Sequence, residues 1–144
     1  MSNADHPRPA TDPPVLPRDE IELRMRAIRD HVPGLRALAA ERAMRADHDL
    51  DFIDDFRLAV DEVCAIVLAN CTSADTLTVR LIVNPNHVAI DASAPLTVPR
   101  AVSGLSLRVL EALADSLDHW VDDEGAEQVF RVSFGRSRRP SALG

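Results

Sequence analysis

Glu62 stands in the run Leu58-Ala59-Val60-Asp61-Glu62-Val63, inside a segment of helical period over residues 50–71. Leu58, Val60, Val63 and Val67 make a face suited to burial, and Glu62 lies within it. A carboxylate there is costly unless it is paired, bound or used in chemistry. Asp91 follows the alternating run Val88-Ala89-Ile90, where an acid suits the capping of a turn. Gly104 and Ser106 open another apolar-periodic segment. A helix that starts there presents free N–H groups and a favourable dipole to an anion. Each feature has a plainer alternative: a solvated or ion-paired helix residue for Glu62, a turn cap for Asp91, an amphipathic core helix after Gly104.

The elements that would position these residues follow from periodicity. Residues 21–27 alternate apolar and polar, as a half-buried strand does. Val32-Pro33-Gly34 turns the chain, and helical spacing runs over residues 35–44. Residues 47–51 form a polar joint in which Asp49 or Asp51 suits an N-cap. The long helix over 50–71 follows. Residues 76–83 and 87–92 read as a hairpin about Asn84-Pro85-Asn86, and 93–103, with Pro95 and Pro99, as a loop. The third helix carries its apolar stripe from Leu105 to Leu117. Trp120-Val121 opens a short strand, and residues 128–134 form the last one. The order β-α-α-β-β-α-β-β predicts an α/β two-layer sandwich, with a mainly antiparallel mixed sheet and helices on one face.

The chain's 144 residues suffice for one domain with a core, placed at 20–135 between a disordered tail over 1–19 and a basic tail over 136–144. No apolar run reaches the length of a membrane span, and the proline-rich N-terminus has no secretory h-region, so the expected location is cytoplasmic. Net charge is −7, and every basic side chain is arginine. Such a chain does not seek nucleic acid or membrane by its field, but it can cover a basic surface on a partner. Cys64 and Cys71, seven apart on a helix, are too distant for a disulfide and read as buried hydrophobes. No Cys/His cluster has metal-ligand spacing, and the five histidines read as surface or boundary residues.

From about residue 20 to 134 the chain resembles histidine-kinase-like (GHKL) ATPases in their anti-sigma-factor, serine-protein-kinase branch. The nearest resemblance is to actinobacterial regulators of stress and sporulation sigma factors. Leu58-Ala59-Val60-Asp61-Glu62 matches the branch motif Leu-Ala-Val-x-Glu-x-x-x-Asn, but Ile66 replaces the asparagine that binds Mg²⁺ in the family. Asp91 matches the adenine-contacting aspartate of Asp-x-Gly-x-Gly, whereas Ala92-Ser93-Ala94 supplies no glycine. Gly104-Leu105-Ser106-Leu107 resembles the Gly-Leu-Gly-Leu run beside the phosphates, with Ser106 in the second glycine's place.

The resemblance implies Glu62 as the catalytic carboxylate and Asp91, Gly104 and Ser106 as nucleotide-binding positions, with no metal ligand because of Ile66. It implies ATP and Mg²⁺ as cofactors, weakened by these losses, and at most a weak serine/threonine protein kinase. The implied role is an anti-sigma factor that sequesters an alternative, stress-type sigma factor. An anti-anti-sigma protein with a STAS domain would antagonise it, and the family's homodimer implies self-association. The alternative is an active ATP-dependent kinase acting on that antagonist, with Asn70 or water taking over the metal.

Overall fold

The computed structural model describes residues 15–123 and 125–139. The tail expected over 1–19 lies mostly outside them, as do residues 140–144 of the basic tail. The elements are β1 (Glu20–Arg26), α1 (Val32–Arg45), α2 (Leu50–Leu68), β2 (Thr76–Asn84), β3 (His87–Pro95), α3 (Gly104–Leu113), β4 (Ser116–Asp122) and β5 (Val129–Ser137).

Alternation builds the sheet. Leu77, Val79 and Leu81 of β2, Val88, Ile90 and Ala92 of β3, and Phe130, Val132 and Phe134 of β5 are buried towards one side. The strand order is β1-β2-β3-β5-β4. All pairings among the described residues are antiparallel, so the expected mixed sheet is corrected to an antiparallel one. The reason is topological. The connection through α3 carries the chain past β3 to the sheet's edge, and β5 then turns back into the gap. β4 therefore runs parallel to β3 without touching it.

The helices form one layer over the sheet, with α2 between α1 and α3. α2 buries Phe56, Val60, Val63 and Val67. Each such side chain contributes about 1.5–3 kcal/mol relative to exposure. Leu58 is instead 41 % exposed, because two residues along a helix turn a side chain about 200° away from Val60. α1 starts at Val32 with Pro33 in its first turn, where the missing N–H is not needed. It closes with Asp47 at φ 71°, the amides of Asp47 and His48 donating to the carbonyls of Met44 and Ala43. Asp49 caps α2 by accepting from the Phe52 amide at 2.8 Å.

Several boundaries differ from expectation. α2 ends at Leu68 because Asn70 turns its side chain back onto the helix end. α3 ends at Leu113, and Leu117 belongs to a seven-residue β4 whose Leu117 and Val121 face the core. β3 continues to Pro95, and β5 runs past Phe134 to Ser137. Among the described residues no helix is long and apolar enough to cross a membrane.

Candidate functional site

Glu62 is half-buried on the outer flank of α2, beside Asp61. Asp61 accepts from Arg36 of α1 at 2.8 Å, which ties the two helices together. Glu62 lines a shallow groove with Arg29, Arg36, Ala65 and Leu68, at the mouth of the α1–α2 packing. It is thus at the rim of the buried face rather than inside it.

Ile66, one turn on, is 2 % exposed and packs in the core. Asn70, a turn further, is 1 % exposed. Its Nδ2 donates to the carbonyls of Ile66 at 2.7 Å and Ala101 at 2.8 Å. Its Oδ1 accepts from the Ala101 amide at 2.7 Å. The Asn70 carbonyl takes the Thr97 amide at 3.2 Å, while Thr97 Oγ1 donates to Asp75 at 2.6 Å. The segment 96–103 is therefore strapped to the end of α2. Asn70 serves as a clamp on this strap, and its side-chain oxygen is engaged there, which corrects the alternative that assigned it to a metal. Its signal in the sequence was spacing: Val63, Ile66 and Asn70 share the face of α2 that packs inward.

Asp91 lies between Ile90 and Ala92, both buried towards the helices. It therefore projects from the opposite face of the sheet, which no helix among the described residues covers. No glycine at 92–94 interrupts β3, so the strand continues to Pro95 and keeps this alternation. Asp91 shares a groove of about 320 Å³ with Glu22, Arg80, Trp120, Asp122 and Arg131.

Gly104 begins α3 with its surface exposed, and a Cβ built on it would meet nothing within 4 Å. Ser103 caps this helix, its Oγ accepting from the Ser106 amide at 3.3 Å. The N–H that an anion would have met at Ser106 is thus already satisfied. Of the four expected positions, Gly104 and Ser106 lie together at the start of α3. Glu62 is on the outer flank of α2, and Asp91 is on the far side of the sheet.

No family model matches the chain. Two curated relatives do, both named "Anti-sigma-F factor RsbW", from Mycobacterium tuberculosis strains CDC 1551 / Oshkosh and ATCC 25618 / H37Rv. Each is 33 % identical over 129 residues, spanning 85 % of this chain and 76 % of the relative. The chain belongs to the RsbW anti-sigma factor family. The α/β sandwich with a one-sided helix layer fits that assignment.

Whether this RsbW-family chain suits Mg-ATP can be judged from its donors. Mg²⁺ needs oxygen ligands in near-octahedral array. Ile66 offers none, Asn70 is committed to the strap, and Asp91 faces away. No group of three or more His, Cys, Asp or Glu among the described residues could hold a metal. The position of the family's metal-binding asparagine therefore offers a cation no side-chain oxygen.

One cluster escaped the sequence analysis. His48 is 6 % exposed, which corrects the expectation of a surface or boundary position. Its ring stacks on Phe52 with centroids 4.3 Å apart, and Nε2 lies 2.8 Å from the Asn84 carbonyl. Arg136 covers Phe52 at 5.1 Å and pairs with Asp55 at 2.8 Å, locking β5 to the first turns of α2. No periodic signal marks such a joint. Of the cysteines, Cys64 is buried, and burial together with nearby Asp61 pushes its thiol up to about 12. Cys71 is only half-buried.

Proposed function

We propose that this chain is an anti-sigma factor acting in the cytoplasm. It sequesters an alternative, stress-type sigma factor, and an anti-anti-sigma protein with a STAS domain releases it by competing for the chain. The observation that carries this reading is the 33 % identity to anti-sigma-F factors along 129 residues. Binding proceeds without nucleotide, because the α2 position that would ligate Mg²⁺ is a core isoleucine and the 96–103 strap is held by Asn70. The kinase alternative finds no support in the placement of Glu62 and Asp91 on different sides of the sheet. Self-association as a homodimer rests on family resemblance, and light scattering on the purified chain tests it.

Size-exclusion chromatography of the chain mixed with each alternative sigma factor of the source organism tests the main reading. One pair should co-elute equally with and without Mg-ATP. Adding a cognate STAS protein should then free the sigma factor. Absence of co-elution with every sigma factor would overturn the proposal.

A further inference from the structure

Among the described residues no helix or loop covers the second face of the sheet, and one residue on it is out of keeping with a solvated surface. Trp120 projects from β4, 40 % exposed. Asp118 and Asp122, two residues to either side, project from the same face. Arg131 stands directly opposite on β5 and is paired with Asp122 at 3.4 Å. Beyond Ser133, the partner of Asp118, stand Asp91, then Arg80, then Glu22. Arg80 is paired with Glu20, whereas the side chains of Glu22 and Asp91 make no ion pair or hydrogen bond among the described residues. Arg24 shares Trp120's row but sits four strands away, roughly 19 Å at ordinary strand spacing.

An indole face bordered by carboxylates is the chemistry that receives a cationic side chain. The ring quadrupole attracts the cation, and the acids neutralise it. The basic groups nearest the indole are already matched to acids, so Asp91 and Asp118 leave the surface around it an acidic excess. A second copy of the chain would set these carboxylates against themselves, and nucleic acid would meet a chain of net charge −7.

We propose that Trp120, framed by Asp91 and Asp118, seats a lysine or arginine side chain of the protein partner. The partner is taken to be the sigma factor, so the inference rests on the anti-sigma reading. It gives Asp91 a part in recognising protein rather than adenine.

Trp120 is the chain's single tryptophan, so 5-fluorotryptophan installs one ¹⁹F reporter in the groove. The labelled chain is titrated with each unlabelled alternative sigma factor while size exclusion records complex formation. On complex formation the resonance should shift. Trp120→Ala should weaken binding roughly 30-fold, and Trp120→Phe should recover most of that loss. Asp91→Asn combined with Asp118→Asn, both at solvent-facing positions, should weaken it about tenfold and flatten its salt dependence. A complex that forms with the resonance unmoved, or that tolerates Trp120→Ala, overturns the seat while the anti-sigma reading stands. Formation of no complex overturns both.

Discussion

Asn70 and Ala101 exchange a pair of hydrogen bonds, the side-chain amide giving to the Ala101 carbonyl at 2.8 Å and taking from its N–H at 2.7 Å. A side chain thereby imitates a strand partner and pairs with one residue of a loop. The same amide completes α2 by donating to Ile66. Helix end and loop are consequently one unit, stabilised through a single buried residue.

Removing that residue should loosen both. Asn70→Ala leaves the Ala101 amide and two carbonyls without their partner, which costs about 2–4 kcal/mol. Urea unfolding should record the loss. Hydrogen exchange should show the fastest gain over residues 96–103. Unchanged exchange there would mean that the strap is held by other contacts.

Nucleotide should have little effect. A ligand at a hundred times its Kd adds about 2.7 kcal/mol of apparent stability. At 1 mM Mg-ATP, about a hundred times the Kd of a 10 µM site, the chain's melting temperature should not move. Asp91→Ala and Glu62→Ala should both leave that null response unaltered. Radiolabel passing from ATP to a STAS protein in a Glu62-dependent way would reverse this expectation.

Asp75 links stability to pH. Its carboxylate accepts from Thr97 Oγ1, from the Thr72 amide at 2.7 Å and from Thr72 Oγ1, and these bonds, Thr97's foremost, hold its pKa below the ordinary value. A depressed folded-state pKa contributes stability that is present above the unfolded value, near 3.9. That contribution is lost as pH falls through the lower folded value. Thermal melts from pH 6 down to pH 2 should therefore show an acid-side decline that is shallower in Asp75→Asn. Parallel declines in the two proteins would remove Asp75 from the cause.

Asp47 closes α1 in the left-handed region at φ 71°, a conformation that glycine adopts without a Cβ clash. Asp47→Gly should raise stability by about 0.5–1 kcal/mol. Arg138 reaches Asp47 through its backbone carbonyl at 2.7 Å, so that contact survives the change. A lower urea midpoint would show that the aspartate side chain contributes something its backbone does not.

Where hydrophobic period is long the sequence is explicit. α2 and the β2–β3 hairpin lie close to where their patterns put them, because burying one face is what makes them fold. β4 was legible only as two residues. Its inward positions include His119, and its outward ones include Trp120, so apolar content does not track burial there. The site was harder still. A motif records which residue types are present, whereas the sheet decides which side they face. Asp91 keeps the type expected of it, and the unbroken run of β3 places it away from the helices. Asn70's partner at Ala101 lies 31 residues away, beyond the reach of any local spacing.

β5 follows both of its sheet neighbours in the chain, yet it stands between them. A nascent chain that has not yet reached Val129 leaves one edge of β3 unpaired and β4 with no strand partner at all, and lacks Phe130 and Phe134 from its interior. During synthesis the sheet thus stays open until β5 leaves the ribosome, and over that interval strand-to-strand aggregation is the hazard it must escape.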